Sequence, residues 1–491
     1  MTENRVDPPS MGTEPSSQPD TDGATGLSCR IMESTTQQLE VGSAEAEQST
    51  GKEETEPSAP LRIVSLVHRN GYLLETVYKP EQEKWPLRFN YFHLGKRRKF
   101  GSSISFDINK VRPPALDDMV REGVVLLPSK GTPVSAADQT CLVDKLIRFI
   151  HRYLDIPPFW EKMVAHYILM TWVYDRFTAV PYLRLLSEHG TGKSRFLQVV
   201  GALCYKSIIC GGSISVSSVF RLTDQWRGTL ALDECDFNHS SEWAEIIRLL
   251  NCGYMAGLPA VRAESVGRSF MPRAFYVFGP KILAGRHRFE DSALESRCLT
   301  YTPEERKLRD DIPRQLPEGF WGEALELRNQ LLGWRFENLD ALQVDESALL
   351  HLDPRLTQIG TTLHNVSNDE MFRSEYLRFL SEFGREDRAE RPQSVIVEAI
   401  RDLSSELETD PELSAQLKIH VPDFLTVKAV TERANALIQD RGGNQIGPKR
   451  VGGIIRSLGF KTQRARDGYR FSPDAKRIEA LVEKYVPISP E

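Results

Sequence analysis

The chain of 491 residues lacks several patterns that define whole classes of protein. Its seven cysteines are scattered and form no C-x-x-C pair, so neither a zinc ribbon nor a disulfide framework is indicated. No apolar run approaches the roughly 18 residues that a membrane-spanning helix needs. The N-terminus has no basic segment followed by an apolar core, which is the pattern of a signal peptide. We therefore expect a reduced, cytoplasmic protein without a membrane partner.

The first 60 residues lack aromatic side chains altogether. They contain twelve acidic and three basic residues and are rich in Ser, Thr, Glu, Gln and Pro. Such a segment has too little apolar surface to offset the entropy lost on ordering. This predicts a disordered acidic tail over residues 1–60. It also means that the net charge of −6 conceals a remainder of the chain that is slightly basic.

The rest of the chain divides into segments of different pattern, and its length predicts about three domains at roughly 100–200 residues each. Short alternating runs predict strands, and apolar residues at helical spacing predict helices. The predicted segments are a small β-rich module (61–130), a helical collar (131–180), an α/β core with a mainly parallel sheet (181–302), a charged helical lid (303–390) and a C-terminal winged helix-turn-helix (391–485).

The stretch SEHGTGKS begins at Ser187 and is one glycine short of the phosphate-loop template G-x-x-x-x-G-K-[ST]. An apolar run, YLRLL, precedes it and a helical pattern follows, so backbone N–H groups and a helix N-terminus can face a phosphate. We predict that Lys193 reaches the β and γ phosphates of ATP and that Ser194 ligates Mg²⁺. The predicted nucleotide-binding residues are Ser187, Gly190, Thr191, Gly192, Lys193, Ser194 and Asp233.

A second stretch, LALDECDF, places two carboxylates directly after an apolar run. At the end of a strand Asp233 can hold Mg²⁺ together with Ser194, and Glu234 can polarise the attacking water. The alternative is an ordinary buried strand with an acidic turn. Because both stretches occur in order, the sequence predicts an ATP-binding α/β core.

With these motifs the chain resembles AAA+ type P-loop ATPases, and among them the superfamily 3 and related helicase-like ATPases of phages and mobile elements. The resemblance covers about residues 150–370 and rests on SEHGTGKSRFL, LALDECDF, PKILAGRHRFEDSALESRC and DPRLTQIG. It implies a P-loop AAA+ type core that works as a homo-oligomeric ring, commonly a hexamer, with ATP sites between subunits.

The resemblance also implies roles for two arginines. Arg297 matches the arginine that enters a neighbour's site, and Arg355 matches a lid arginine that senses the γ-phosphate; the alternative for Arg297 is a surface ion pair. The chain departs from the family after KILAG, where Asn, Ser or Thr usually orients the water. Gly285, Arg286 and His287 stand there instead, which predicts slow hydrolysis or an altered water-positioning step.

Two regions are predicted to bind DNA. Gly267 can turn a hairpin with Arg262 and Arg268 near its ends, at the place where related helicases grip DNA; the alternative is an edge hairpin with solvated arginines. Residues 441–470 carry eight basic side chains and one acidic side chain, which is the charge pattern of a nucleic-acid surface. The predicted contacts there are Lys449, Arg450 and Arg456 on the second helix and Arg464 and Arg466 on the wing.

Together these observations predict an ATP-dependent DNA helicase or translocase of a phage or mobile element. Its substrate is ATP, its cofactor Mg²⁺ and its catalytic residues Glu234, Arg297 and Arg355. One alternative is an ATP-controlled initiator or loader that does not unwind DNA, and another is a regulator whose ATPase domain only oligomerises. Nothing in the sequence separates DNA from RNA.

Overall fold

The computed structural model describes two compact units, Met1–Val344 and Asp345–Glu491, and each is treated by itself below. The described residues are 62–69, 72–83, 86–93, 100–103, 111–132, 139–188, 190–235, 241–267, 269–289, 291–304, 307–390, 392–408, 424–440, 445–466 and 468–486. The predicted tail (1–60) and Arg268 lie outside them. Among the described helices, none is long and apolar enough to cross a membrane.

The first unit begins with an antiparallel sheet in the order β2-β3-β4-β5. Arg69 lies opposite Tyr72, as expected for a hairpin over the Asn70-Gly71 dipeptide, which itself is not among the described residues. Two short strands, β1 and β6, pair in parallel beside this sheet. The strands are β1 (Arg62–Ile63), β2 (Leu66–Arg69), β3 (Tyr72–Tyr78), β4 (Leu87–His93), β5 (Phe100–Ser103) and β6 (Val111–Arg112).

Helices connect this sheet to the core of the first unit. The short α1 (Asp118–Arg121) leads into strand β7 (Val125–Leu126), and α2 (Gln139–Tyr153) and α3 (Pro158–Trp172) follow. A proline begins α3, a position where its missing N–H costs nothing. Nearly every residue of α3 after Trp160 is buried, so this helix lies inside the unit.

The core of the first unit is a six-stranded sheet in the order β14-β8-β13-β10-β9-β7. All neighbouring strands run parallel except β7, which pairs antiparallel with β9, so the predicted mainly parallel α/β sheet is confirmed. Its strands are β8 (Tyr182–Leu186), β9 (Ser207–Cys210), β10 (Leu230–Leu232), β13 (Lys281–Gly285) and β14 (Cys298–Tyr301). Its helices are α4 (Lys193–Gly201), α5 (Val216–Trp226), α6 (Ser241–Cys252) and α7 (Ser292–Glu295).

A separate hairpin of β11 (Ala260–Val266) and β12 (Ser269–Phe275) precedes β13. Phe275, at its base, is buried in the same apolar cluster as Phe220 of α5, which attaches the hairpin to the core.

A buried ion network joins the N-terminal sheet to the core. Arg335, on helix α8 (Phe320–Asn338), donates to Glu75 of β3 at 2.8 Å and to both oxygens of Asp175 at 2.8 and 2.7 Å. Lys206 lies 2.7 Å from the same Glu75. Burial lowers the pKa of Lys206 to about 8, although the Glu75 carboxylate opposes the shift. Because each charge has a partner, the network is tolerated inside the unit.

The second unit contains helices α9 to α14 and a three-stranded sheet in the order β15-β17-β16. The predicted lid segment thus contributes α8 to the first unit and α9 and α10 to the second. The helices are α9 (Pro354–Val366), α10 (Glu370–Glu390), α11 (Pro392–Glu408), α12 (Val427–Asp440), α13 (Pro448–Ser457) and α14 (Ala475–Tyr485). The strands are β15 (Leu425–Thr426), β16 (Gln463–Ala465) and β17 (Gly468–Phe471).

Candidate nucleotide site and nucleic-acid surfaces

The candidate phosphate loop connects the fully buried strand β8 to helix α4. Gly190 and Gly192 have φ angles of 77° and 91°, in the left-handed region that side chains disfavour. A Cβ atom added at either glycine would touch nothing within 4 Å, so the backbone angle rather than crowding requires glycine there. The two glycines let the chain reverse tightly and enter α4 with free N–H groups at its N-terminus.

Ser187, which replaces the first glycine of the template, is integrated into the loop. Its N–H donates to the Gly285 carbonyl at 3.1 Å, and its hydroxyl lies 2.7 Å from the Thr191 hydroxyl. The Lys193 ammonium donates to the carbonyls of Ser187 and Glu188 at 2.6 and 2.7 Å. All these contacts form with serine at the loop entry, so they do not depend on a glycine there.

Ser194 and Asp233 meet at the candidate magnesium site. The Ser194 hydroxyl donates to Asp233 Oδ2 at 2.6 Å, although 39 positions separate the two residues. The donor set fits Mg²⁺, which takes oxygen ligands and is commonly bound through one or two protein groups plus waters and phosphate oxygens. Among the described residues no cluster of three or more His, Cys, Asp or Glu forms an alternative metal site.

Glu234 has a φ of 54°, one of three described non-glycine residues in the left-handed region. Its neighbours hold it there: the Asp233 N–H donates to the Cys210 carbonyl at 3.1 Å, and the Cys235 N–H donates to the Ala284 carbonyl at 2.8 Å. Such a conformation costs roughly 1–3 kcal/mol and persists only when the surroundings enforce it. The side chain is exposed at the carboxyl edge of the sheet, where substrates of open α/β folds bind.

Strand β13 lies between the loop strand β8 and the carboxylate strand β10. Its last residue, Gly285, pairs with Leu186 and carries no side chain that could orient a water molecule. Arg286 follows half-buried and His287 exposed. The departure predicted from the sequence therefore falls at the centre of the site.

The two arginines predicted to act in catalysis have other hydrogen-bond partners in the structure. Arg297 is only 6% exposed, its guanidinium donates to Asn251, and it lies over the Tyr254 ring at 4.1 Å from the centroid. Arg355, on α9 of the second unit, donates to Gln358 at 3.1 Å. Both roles stay predictions.

The hairpin presents two different faces. Arg262 faces the core, 2.5 Å from Glu245 and 4.4 Å from the Phe220 ring centroid. Residues on the opposite face are uncharged, and Phe270 and Val261 are 76% and 66% exposed. The hairpin thus has an apolar face that is exposed to solvent. Sequence reasoning directed at basic residues did not predict this face. Its signal in the sequence is that every second residue of the strand, Val261, Ala263 and Ser265, is uncharged.

The second unit has a basic surface on α13 and the β16–β17 hairpin. The predicted contacts there are all exposed: Lys449, Arg450, Arg456, Arg464 and Arg466. A concavity of about 640 Å³ is lined by Arg464, Ala465, Arg466 and also Arg470, which the prediction left out. Arg464 lies opposite Tyr469, whose ring is half-exposed. Cationic and aromatic groups therefore share this hairpin.

No family model and no curated protein matches the chain. Among solved structures, it is similar to the apo C-terminal region of NrS-1 at 12% identity with a TM-score of 0.33, over 81% of this chain and 96% of that chain. It is also similar to SCCmec type IV Cch, described as an active helicase, at 10% identity with a TM-score of 0.43, over 87% of this chain and 82% of that chain.

Proposed function

We propose that the protein is a P-loop ATPase of the AAA+ type that hydrolyses Mg-ATP and couples hydrolysis to DNA. The observation that carries this proposal is the 2.6 Å hydrogen bond between Ser194, at the start of α4, and Asp233, after β10. A hydroxyl and a carboxylate from distant segments meet beside a glycine-turned loop and a helix N-terminus. Nucleotide-hydrolysing sites need these groups together.

Each residue of the site has a role in this mechanism. The N–H groups of the loop and the Lys193 ammonium bind the phosphates, and the lysine exchanges its two carbonyl partners for phosphate oxygens. Ser194 and Asp233 would hold Mg²⁺, which supplies neutralisation of phosphate charge when bound. The exposed Glu234 accepts a proton from the attacking water or orients it.

Coupling to DNA is assigned to the second unit. Helices α12 and α13 followed by the β16–β17 hairpin have the order of a winged helix-turn-helix, and exposed arginines and lysines cover α13 and the hairpin. Neutralising phosphates with such side chains supplies affinity that falls steeply with salt. We further propose helicase or translocase activity in a homo-oligomeric ring, in which Arg297 would have to leave Tyr254 to reach a neighbouring subunit.

Steady-state ATP hydrolysis with and without single- and double-stranded DNA tests the proposal. Glu234→Gln is expected to lower turnover about 10²–10⁴-fold, to a small residual rate, while Mg-ATP still binds. Glu304→Gln, at an exposed glutamate of the same unit, is the matched control. Turnover near the wild-type rate in Glu234→Gln, or an equal loss in both variants, would contradict the assigned site.

A second candidate function is an ATP-controlled DNA-binding switch, such as an initiator or loader. It is favoured by the end of β13, where Gly285 offers no side chain to orient water. Tight ATP binding with very slow turnover and no strand displacement would select this function over the helicase.

A further inference from the structure

Two glycines, Gly211 and Gly212, follow β9 at the same edge of the sheet as the candidate catalytic carboxylate. The end of β9 pairs with the end of β10, because Cys210 lies opposite Leu232. The segment after β9 therefore runs beside the segment after β10. No residue of this turn was predicted to take part in the site.

The two glycines differ in what surrounds them. A Cβ atom at Gly212 would lie 2.5 Å from Glu234 Oε2, closer than such atoms approach, and 3.3 Å from Glu234 Cβ, which is a tight contact. A Cβ atom at Gly211 would meet nothing within 4 Å, and neither glycine has a φ in the left-handed region. Only Gly212 is thus constrained, and the constraint comes from the Glu234 side chain.

Glu234 cannot easily yield by moving its backbone. Asp233 and Cys235, on either side of it, donate their N–H groups to carbonyls of the two flanking strands. The Glu234 carboxylate, at the end of a flexible side chain, is the part that is free to move. A methyl group at position 212 would therefore displace that carboxylate while Asp233 stays in place.

We infer that Gly212 is a positioning residue, whose missing side chain forms the seat in which the Glu234 carboxylate rests; this inference rests on the proposed ATPase function. The seat compensates in part for the end of β13, which has no side chain to align the water. With glycine at position 212, the Glu234 carboxylate keeps the place from which it positions the attacking water.

Gly212→Ala tests the inference, with the adjacent Gly211→Ala as its matched control. Because misplacing a reacting group by about 1 Å can cost about 10²-fold, kcat is expected to fall about 10²-fold in Gly212→Ala. KM and the affinity for a fluorescent Mg-ATP analogue should stay at wild-type values, and Gly211→Ala should keep the wild-type kcat. Equal kcat in wild type and Gly212→Ala, or a matching loss in Gly211→Ala, would overturn the inference.

A double variant shows whether Gly212 acts through Glu234. In the Glu234→Gln background, which lacks the catalytic carboxylate, Gly212→Ala should cause no further loss of residual turnover. A further loss as large as in the wild-type background would mean that Gly212 serves something else. Should Gly212→Ala alone fail to fold, the Gly212→Ala, Glu234→Ala pair removes the 2.5 Å contact with Oε2 and keeps only the 3.3 Å contact with Cβ; folding of the pair supports the seat, and failure of both overturns it.

A crystal structure of Gly212→Ala separates this inference from the proposed function. The expected result is a displaced Glu234 carboxylate with Asp233 and the loop unchanged, whether or not the protein hydrolyses ATP. If the wild type turns over no ATP but the carboxylate moves, the ATPase proposal fails and the seat stands. If the carboxylate stays and the backbone at position 212 shifts instead, the seat is refuted.

Discussion

Replacing Arg335 by methionine should be among the most destabilising single changes in the first unit. Its guanidinium is completely buried and serves Glu75 and both oxygens of Asp175. Methionine has a similar length and no charge, so the substitution leaves two buried carboxylates. Glu75 keeps Lys206 at 2.7 Å, whereas Asp175 loses its guanidinium partner. Removing one partner of a buried pair costs about 3–5 kcal/mol.

The matched control lies on the same helix. Arg328 is also buried, and its hydrogen bonds go to the backbone carbonyls of Ala202 and Leu127 at 2.6 and 3.4 Å. Burial lowers the pKa of Arg328 to about 10. Arg328→Met removes a costly charge and leaves only neutral acceptors, so its loss should be nearer the roughly 1–3 kcal/mol of an unsatisfied buried group.

The loss in Arg335→Met should depend on pH. Burial alone would raise the pKa of Asp175, but the adjoining guanidinium outweighs it and holds this pKa below its usual range. In the wild type, Asp175 therefore stabilises the fold above about pH 4, the unfolded pKa, and loses this effect as the pH falls through the folded pKa. Without the guanidinium, the pKa of Asp175 in the folded state rises above its value in the unfolded state. The ionised carboxylate then destabilises the folded variant increasingly as the pH rises. The gap between wild type and variant is expected to be larger at pH 7 than at pH 4.5.

Urea denaturation followed by tryptophan fluorescence measures these differences. All seven tryptophans precede residue 345, so the signal reports on the first unit alone. A loss in Arg335→Met no larger than that in Arg328→Met, or a gap that does not change between pH 7 and pH 4.5, would refute the reasoning.

Three further predictions concern the site and the two surfaces. Ser187→Gly should change the Mg-ATP dissociation constant by less than about tenfold in an equilibrium titration, since one exposed hydrogen bond contributes about 1 kcal/mol; a larger change would show that the hydroxyl binds nucleotide. The double variant Arg464→Ala, Arg466→Ala should reduce the salt slope of DNA binding by about 2, or about one per arginine, and an unchanged slope would remove the hairpin from the interface. Phe270→Ala should weaken single-stranded DNA binding by about 1–3 kcal/mol through lost stacking. Arg262→Ala should have little effect, because its guanidinium is paired with a carboxylate. A larger effect of Arg262→Ala than of Phe270→Ala would indicate that the hairpin binds DNA through its arginine.

The sequence predicted those parts of the fold that depend on local pattern. Alternation predicted strands near the start of the folded part of the chain, and apolar runs separated by helical segments predicted the parallel sheet. Arg335, Glu75, Asp175 and Lys206 carry no such signal, because they lie far apart in the chain and meet only after the sheet and α8 are assembled. In the sequence these four residues resemble ordinary solvent-exposed charged residues. Only their tertiary contacts show that they form a buried network.

The candidate site shows the same division. SEHGTGKS and LALDECDF predicted which residues would meet, since a loop and a strand end carry their chemistry in consecutive positions. The direction in which a side chain faces could not be predicted from the sequence. Arg262 is an example, because it faces the core. Gly212 was missed because a glycine pair after a strand usually indicates only a turn.

The position of β13 explains why the seat of Glu234 matters to the choice between motor and switch. A water that attacks the terminal phosphate must be aligned, and a polar side chain at the end of the central strand would share that task with the carboxylate. In the proposed mechanism Gly285 offers none, so alignment would fall on Glu234, whose two neighbours in the chain are hydrogen-bonded to the flanking strands. A carboxylate that moves on a fixed backbone aligns water well only if its seat places it correctly. If Gly212→Ala lowers kcat and leaves nucleotide affinity intact, the site is organised for turnover and the motor is favoured. If wild-type turnover is already negligible while ATP binds tightly, the same carboxylate serves to sense bound nucleotide, and the switch is favoured.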